Sequence, residues 1–302
     1  MLKKVLILLG ALSSINLNSL LSVEKHYRKF HTEAQTQQIE GIDFIYLINL
    51  DKRPDRLEES NAQLARYNII PCRFPAIYGR DLSGNALKDT GVKYQSTMQK
   101  HQWVMSVSTE GTLEYDFLRD SCLGKTIYSQ WMNYGAVGCA LSHLSVLQNA
   151  YDSGYQRIWM MEDDIDIKQD PHLLSNYIEK LDALVGKTGW DVLFTDPKGN
   201  ATQTPEEPVW WMSRPNCLSL DQYSFSMQTK ISDDFIKIGT RGSTYSLVIN
   251  RSGIEKILEH MKKNHLFNPY DNELSFVENI QLYTLTYPLV THLKGSISDI
   301  QE

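Results

Sequence analysis

The ten residues from Ile158 to Ile167, IWMMEDDIDI, constrain the fold of this chain more than any other stretch. Their first half is an apolar run that suits a buried strand of a parallel sheet, and ligands of such sheets collect beyond the carboxyl ends of the strands. Glu162, Asp163 and Asp164 fall at that point. An isolated buried carboxylate is costly unless a cation or a donor answers it. The pattern therefore favours a divalent cation held by oxygen ligands; the alternative is a solvated turn after an edge strand.

Strand and helix patterns alternate along residues 41–302 and predict one α/β domain, with a central, mostly parallel sheet flanked by helices. Prolines place the second strand near an edge of the sheet. Segments 79–130 and 196–233 show no sustained periodicity, which is typical of functional insertions. The predicted strands are Asp43–Leu50, Ile69–Ala76, Arg157–Met161, Trp190–Thr195, Thr244–Asn250 and Ile280–Leu285. Four helices are predicted: they start near Pro54, near Gly135, at Asp170 or Pro171, and after Ser252, which is the predicted N-cap of the last one.

The first 22 residues read as a signal peptide or a membrane anchor, because Lys3 and Lys4 precede a short apolar core and small polar residues follow. A buried or interfacial helix is the alternative, since the apolar part is short for a membrane span. Residues 23–40 are polar and resemble a linker. This arrangement predicts a protein of the secretory pathway, periplasmic or membrane-associated, or one held on the cytoplasmic face if the segment is an uncleaved anchor.

Composition excludes several classes of protein. The net charge of −6 argues against nucleic acid as a principal partner, because nucleic-acid binding needs a basic face. Four widely spaced cysteines without a CxxC pair argue against structural zinc and against a disulfide framework, although a single bridge stays open. No Walker loop or GxGxxG fingerprint is present, so ATP hydrolysis and dinucleotide redox chemistry have no support.

A second strand end carries polar residues that complement the acids. Asn49 ends the first predicted strand, and Arg53 and Arg56 follow in the next turn and helix. If the two strands are parallel, these cations and the carboxylates meet over one crevice, which suggests a metal-bound anionic ligand such as a nucleotide diphosphate. Taken alone, the arginines would be ordinary surface residues of a helix.

The helix that starts near Gly135 adds two more candidates. Its glycines fit a helix N-terminus that a ligand or another backbone approaches closely. Ser142 and His143 lie within this helix and are predicted to contact the nucleotide. A packed structural role is the alternative for His143, because histidine is of intermediate burial in proteins.

Four motifs follow one another within residues 43–170: YLINLDKRPDRLEE, FPAIYGRDL, GAVGCALSHLSVLQNA and IWMMEDDIDI. In this order they resemble glycosyltransferase family 25, which includes bacterial lipopolysaccharide galactosyltransferases and animal collagen hydroxylysine galactosyltransferases. A looser likeness follows in GTRGSTYSLVINRSG, NPYDNELS, YPLVTH and SISD. One departure is Ala136, where many members carry an acid.

The resemblance implies a GT-A fold and inverting, metal-dependent transfer of a sugar, usually galactose, from a UDP-sugar to a glycan, lipid-linked or protein acceptor. It places manganese or magnesium on Glu162 and Asp164, with His292 as a late ligand, and gives Asp164 a catalytic role. Asp163 joins Asn49, Arg53 and Arg56 around the nucleotide, and Asp271 serves in acceptor recognition or as general base. These residues are expectations carried over from the family's motifs.

Two other functional classes compete with the transferase. The first is a secreted, non-catalytic module that keeps the fold and only binds glycan or nucleotide; the apparent signal segment motivates it. The second is a sugar nucleotidyltransferase, which the lack of a Gly-rich phosphate loop disfavours. Aromatic residues in segments 79–130 and 196–235 are predicted to contact the acceptor, unless they merely cover the core.

Overall fold

The computed structural model describes residues 23–31, 37–197, 213–217, 222–295 and 299. Strands and helices alternate through them much as the sequence patterns predict. The strands are β1 (Phe44–Asn49), β2 (Cys72–Pro75), β3 (Val92–Lys93), β4 (Trp103–Val107), β5 (Leu113–Phe117), β6 (Thr126–Ser129), β7 (Arg157–Glu162), β8 (Ile165–Ile167), β9 (Val192–Phe194), β10 (Gln228–Lys230), β11 (Phe235–Ile238), β12 (Ser246–Asn250), β13 (Leu282–Leu285) and β14 (Val290–His292). The helices are α1 (Pro54–Ala65), α2 (Gly84–Thr90), α3 (Tyr134–Asp152), α4 (Leu173–Val185), α5 (Gln222–Ser226), α6 (Arg251–Asn264) and α7 (Tyr270–Glu273).

Eight strands form the central sheet, in the order β10-β11-β13-β9-β12-β7-β1-β2. β1 pairs in parallel with both β2 and β7, and β9 pairs in parallel with β13. Among these eight strands, β11 and β12 run against the other six. The predicted α/β class with a mostly parallel sheet is therefore confirmed, and β2 lies at an edge as its prolines indicate.

The sheet is buried on both faces, which explains the continuous apolar character of its strands. In β1, Phe44, Tyr46 and Ile48 join the hydrophobic cluster with α3 and α6, whereas Ile45 and Leu47 join the cluster with α1 and α4. All six residues of β1 are buried. Alternate side chains of this strand thus hold the two helical layers, and its polar residue, Asn49, stands at its end.

Residues 79–130 are more regular than predicted. They contain α2 and a second sheet of four strands in the order β3-β6-β4-β5. The strands are two to five residues long, and β5 has no fully buried position. Strands this short, with this much exposure, leave too few alternations for a periodic pattern to appear in the sequence.

The helix boundaries agree with the sequence patterns to within a few residues, with two corrections. The helix predicted to open at Asp170 or Pro171 begins at Leu173, and its N-cap residue is His172. Ser252 was predicted as the N-cap of α6, but this helix begins at Arg251 and its N-cap residue is Asn250. The Ser252 hydroxyl instead donates to Asp191 Oδ1 over 2.6 Å. A buried carboxylate within reach competes with the backbone for this hydroxyl.

The predicted signal or anchor segment, residues 1–22, lies outside the described residues. Part of the predicted linker packs on the domain: Val23 and Tyr27 belong to the core cluster that contains α3. The Arg28 backbone N–H donates to Ser145 Oγ over 2.8 Å. Among the described helices, none combines the length and apolar character that a membrane span requires. Cys72, Cys122, Cys139 and Cys217 are free thiols.

Candidate active site

The carboxyl ends of β1 and β7 lie side by side, as the two polar strand ends predict. Ile48 is the ladder partner of Glu162, so Asn49 comes next to Asp163. Asn49 Nδ2 donates to Asp163 Oδ2 over 2.6 Å, and Arg73 Nε donates to Asn49 Oδ1 over 2.9 Å. Asn49 therefore holds the acidic turn from one side while its own oxygen is satisfied by an arginine.

Helix α1 fixes the acidic turn from the other side. Ser60 Oγ donates to the Asp163 carbonyl over 2.9 Å. Gln63 donates to the Ile165 carbonyl over 2.8 Å and accepts from the Ile167 N–H over 3.0 Å. These bonds are made by the polar face of α1, the helix that follows the tight turn after β1. They fix the backbone that carries Asp163 and Asp164.

Asp163 is a buried carboxylate with an unusual ionisation. Burial raises its pKa to about 6, although the Asn49 hydrogen bond and the Arg56 charge lower it, and Asp164 and Glu162 raise it further. Arg56 Nη1 lies 3.4 Å from Asp163 Oδ1. The charge on this turn is thus only partly compensated by the protein's own cation.

Asp164 meets the residue predicted as a late ligand. Antiparallel pairing of β8 with β14 places His292 opposite Ile165. His292 Nε2 lies 3.1 Å from Asp164 Oδ2, and the Leu293 N–H donates to the Asp164 carbonyl over 2.7 Å. The structure therefore brings together two residues that are 128 positions apart in the sequence.

Glu162 lies at the end of β7 among polar neighbours. The Thr244 hydroxyl donates to its Oε1 over 3.0 Å, and His143 Nε2 lies 3.0 Å from the same oxygen. Ligand atoms of Cys139, His143 and Glu162 lie within 4.8 Å of one another. Burial and the nearby carboxylates raise the pKa of the Cys139 thiol well above its usual range. Cys139 therefore stays protonated, which makes it a poor metal ligand.

Three basic side chains converge on one carboxylate at the same edge. Arg53 Nη1 lies 2.7 Å, Arg56 Nη1 3.2 Å and Lys52 Nζ 3.4 Å from oxygens of Asp299. Arg53 is also bridged to Asp55. The predicted arginines do reach this edge of the sheet, where the carboxylate of Asp299 lies between them and Lys52.

Asp271 stands at the start of α7, where two backbone amides hold it. The N–H groups of Ser243 and Asn272 donate to its carboxylate over 2.6 and 2.8 Å. Burial raises its pKa, and the charge of Glu162 adds to this effect. Ser243 has a φ of 74°, a backbone conformation that costs a non-glycine residue on the order of 1–3 kcal/mol. The chain accepts this strain where an amide meets Asp271.

Ser142 and the glycines of α3 shape the wall of the crevice. Ser142 Oγ donates to the Gly138 carbonyl over 2.7 Å and accepts from the Ile77 N–H over 2.8 Å. A Cβ added at Gly138 would come within 2.6 Å of the Gly79 nitrogen. The Ser142 hydroxyl thus both donates and accepts within the wall, and Gly138 permits the loop and helix to touch.

Together these elements enclose a crevice of about 80 Å³, called the acidic pocket below. It is smaller than the roughly 300–1,000 Å³ typical of pockets that enclose a whole small ligand, and Asp299 forms part of its lining. His143 stacks on Tyr270 with ring centroids 4.4 Å apart, which joins α3 to the segment that carries Asp271. The lining comprises Ile48, Leu50, Arg56, Ala76, Ile77, Tyr78, Gly79, Gly135, Cys139, Ser142, His143, Glu162, Asp163, Asp164 and Asp299.

Sequence reasoning did not single out Thr244, Cys139, Tyr270 or Asp299 as site residues. Thr244 precedes β12, whose antiparallel pairing with β7 sets it beside Glu162. Asp299 belongs to the SISD motif, but the motif alone does not give this aspartate a partner. Thr244 and Asp299 reach the site through tertiary structure, whereas Cys139, four residues before His143 on one helix, and Tyr270, next to Asp271, could have been found from their predicted neighbours.

Comparison with known proteins identifies the family of this chain. The family model described as "Glycosyltransferase family 25 (LPS biosynthesis protein)" matches residues 42–273. A "Glycosyltransferase 25 family member" of Aedes aegypti is 22% identical over 211 residues, which cover 70% of this chain and 30% of that protein. The corresponding protein of Anopheles gambiae is 20% identical over 260 residues, 86% of this chain and 36% of that protein.

A mammalian relative carries a different description. The "Inactive glycosyltransferase 25 family member 3" of Mus musculus is 28% identical over 171 residues, 56% of this chain and 24% of that protein. The matched stretch is thus about a third or less of these relatives' own length. The family model, however, covers most of the chain and includes every strand from β1 to β12, while β13 and β14 lie beyond it. The chain belongs to glycosyltransferase family 25.

Proposed function

We propose that this protein transfers a sugar, with galactose as the expected one, from a UDP-sugar to an acceptor hydroxyl with inversion. The observation that carries the proposal is the convergence of Glu162, Asp163 and Asp164 with the buried Arg56 at one edge of the sheet. Carboxylates and guanidinium groups in one crevice suit a ligand that combines a cation with a diphosphate.

The basic side chains would hold the diphosphate. Lys52, Arg53 and Arg56 all reach the Asp299 carboxylate, which supports an anion site at this position. Guanidinium groups bind phosphate oxygens through paired hydrogen bonds, so the two arginines are the stronger candidates for specific contacts. A donor diphosphate bound here would take over cations that Asp299 now contacts.

The acids fit a divalent cation. Glu162 and Asp164 offer carboxylate oxygens and His292 an imidazole nitrogen, a set that suits manganese, and magnesium if the histidine is not a ligand. The mutual repulsion that helps raise the pKa of Asp163 is the expected signature of acids gathered without full compensation. When bound, such a cation would stabilise the charge that develops on the leaving diphosphate.

Asp271 is the proposed general base. Its raised pKa makes it a better proton acceptor than an ordinary aspartate, and two backbone N–H groups fix its carboxylate. The acceptor oxygen forms a bond to the anomeric carbon, the bond from that carbon to the UDP oxygen breaks, and the acceptor proton passes to Asp271. Because the acceptor attacks opposite the leaving group, the configuration inverts.

The test is a UDP-release assay with UDP-galactose, UDP-glucose and UDP-N-acetyl sugars across an acceptor panel, with manganese, magnesium or EDTA. Asp164→Asn should lower turnover about 10²–10³-fold, because it removes charge from the proposed cation site. Asp166→Asn is the matched control: Asp166 lies two positions on and pairs with the exposed Lys168. Turnover that survives EDTA and Asp164→Asn would refute the metal assignment.

The relatives named inactive make a non-catalytic nucleotide-binding module the second candidate. A thermal-shift titration with UDP separates the two when combined with the release assay. Manganese-dependent stabilisation by UDP together with UDP release supports the transferase. Stabilisation without release from any donor would favour the binding module, and no shift at all would exclude both nucleotide-dependent functions.

A further inference from the structure

A second cavity lies beside the small sheet and differs in chemistry from the acidic pocket. It has a volume of about 330 Å³ and is called the neutral cavity here. Two indole rings and several uncharged polar side chains face it. The residues that matter to its chemistry are Gln102, Trp103, Ser129, Gln130, Trp131 and Asn268.

Two buried polar atoms of this cavity have no hydrogen-bond partner among the described residues. They are Gln102 Nε2 and Ser129 Oγ. The other Gln102 atom, Oε1, accepts from Ser213 Oγ over 3.3 Å, and the Ser129 backbone N–H donates to the Phe267 carbonyl over 2.7 Å. The Gln102 side chain and the Ser129 backbone are thus held by other contacts. A buried polar group without a partner is costly, and this cost favours a ligand that supplies hydroxyl groups.

The two tryptophans of the cavity are exposed to solvent, although side chains this large and apolar are usually mostly buried. Trp103 is 51% and Trp131 57% exposed. Trp103 stacks on Tyr115 with ring centroids 4.9 Å apart and an interplanar angle of 12°, so its orientation is fixed. Exposed aromatic faces beside polar groups indicate a binding surface for a ligand with both apolar and polar faces.

The uncharged side chains in the described lining limit the chemical class of the ligand further. No charged side chain is part of the lining that the described residues provide. A cationic peptide would need carboxylates and an anionic ligand would need arginines or lysines. A neutral saccharide needs neither: the C–H face of its ring packs on an indole, and its hydroxyls both donate to and accept from amide and hydroxyl groups.

Two chain segments connect the neutral cavity to the acidic pocket. Trp131 is followed by Asn133, the N-cap of α3, and then by Gly135 in the wall of the acidic pocket. Asn268 is followed, three residues later, by Asp271, and the intervening Tyr270 stacks on His143. A ligand in the neutral cavity is therefore bound by one segment that leads to the wall of the acidic pocket and by another that carries the proposed base, Asp271.

We propose that the neutral cavity binds a neutral saccharide of the acceptor, an inference that rests on the transferase function proposed above. Trp131 and Trp103 provide the stacking surfaces, and Gln102 Nε2 and Ser129 Oγ bond the sugar hydroxyls. The acceptor class that follows is a glycan and excludes a bare hydroxylysine peptide.

Ligand-observed saturation-transfer NMR titrations test this on the full chain without any donor. The probes are lactose, methyl β-glucoside, N-acetylglucosamine and a glycine–hydroxylysine peptide. At least one saccharide should bind, with about fivefold weaker binding in Trp131→Ala, because a stacking surface is lost. Gln102→Leu, which removes the donor at similar volume, should weaken binding by a similar factor. Tyr287→Ala is the control, since Tyr287 is 68% exposed on another part of the surface.

Thermal unfolding and UDP titration of each variant exclude misfolding and keep the two proposals separate. Wild-type-like melting and UDP affinity with lost saccharide binding support the neutral cavity as the acceptor site. Saccharide binding that persists in both cavity variants, binding of the peptide alone, or no binding of any probe overturns it. Saccharide binding without any UDP binding would instead refute the proposed transferase function and leave a glycan site.

Discussion

The acidic pocket and the neutral cavity solve the problem of buried polar groups in opposite ways. In the acidic pocket, Asp163 is held by Asn49 and Arg56, and Arg56 also reaches Asp299. In the neutral cavity, Gln102 and Ser129 keep polar atoms without a described partner. The charged groups of the acidic pocket are paired with one another, although His143 Nδ1 has no hydrogen-bond partner among the described residues. The neutral cavity instead leaves uncharged polar atoms that hydroxyl groups could pair.

This difference in how the polar groups are paired predicts how each site responds when its ligand binds. A ligand of the acidic pocket must compete with internal ion pairs, so its affinity depends on what it displaces. A ligand of the neutral cavity would instead pair polar atoms that have no partner among the described residues, which improves affinity without a competing loss. Variants of the two regions should therefore differ in sign as well as in size.

The largest effect should come from Asp271→Asn, which removes the proposed base. We expect turnover to fall about 10²–10⁴-fold, while UDP affinity and saccharide binding stay unchanged. Glu278→Gln, an exposed position seven residues on, is the control. Weakened saccharide binding in Asp271→Asn would show that the two regions are not separable.

The pH profile of the same pair of proteins adds a second readout. Burial raises the pKa of Asp271, so the base form is present above this raised value and is lost as the pH falls through it. The acid limb of kcat/KM should therefore lie above the usual range of an aspartate, about 3.9. That limb should be missing from the residual activity of Asp271→Asn.

The next effect concerns Arg214, which supports both regions. Arg214 Nε lies 2.7 Å from Glu273 Oε1 in a fully buried pair, and Glu273 Oε2 accepts from the Asn268 N–H over 2.9 Å. Arg214→Met leaves that carboxylate buried without its guanidinium and should cost about 3–5 kcal/mol in urea unfolding. The double variant Arg214→Met, Glu273→Leu should recover part of this loss; equal losses would contradict the explanation.

A smaller effect is expected at Gly138, on the wall of the acidic pocket. A Cβ there would meet the Gly79 nitrogen at 2.6 Å and the Ile77 carbonyl at the same distance. Gly138→Ala should therefore destabilise the protein by about 1–3 kcal/mol and weaken UDP binding, although alanine favours helices. Gln148→Ala in the same helix should stay within about 0.5 kcal/mol. Saccharide binding should not change in either variant.

The smallest effect has the opposite sign. Asp299→Asn removes the charge that Lys52, Arg53 and Arg56 now contact. UDP should then bind a few-fold more tightly, because partly exposed ion pairs contribute about 0–1 kcal/mol each. Asp51→Asn, at an exposed aspartate paired with Arg73, is the control. Weaker UDP binding in Asp299→Asn would mean that this carboxylate assists the donor instead of competing with it.

The two regions also differ in how far the sequence reveals them. Carboxylates that directly follow an apolar strand are conspicuous, and from them the acids, Asn49 and the arginines could be placed at neighbouring strand ends. Gln102, Ser129 and the exposed tryptophans are ordinary residues that lie on or beside strands too short to show a period. Only the folded sheet sets them around one cavity.

The direction in which a strand runs within the sheet is a second property that the sequence patterns do not predict. Apolar residues predict β12 as a strand, but nothing local indicates that it runs against β7 and so delivers Thr244 to Glu162. Likewise, His292 could be carried over from the family resemblance, whereas its 3.1 Å approach to Asp164 depends on the pairing of β8 with β14. Long-range pairing is decided by the whole chain.

The strand order has a consequence for synthesis on the ribosome. β1, β2 and β7 can associate as soon as residue 170 has emerged, because all three are made by then. The edge of β7 that pairs with β12, and the acids at the end of β7, then lack these partners until β12 and β14 have been made. These two strands begin roughly 80 and 120 residues after residue 170. An unpaired apolar edge is open to misassociation. Nascent chains paused in this interval should therefore be the form that chaperones retain.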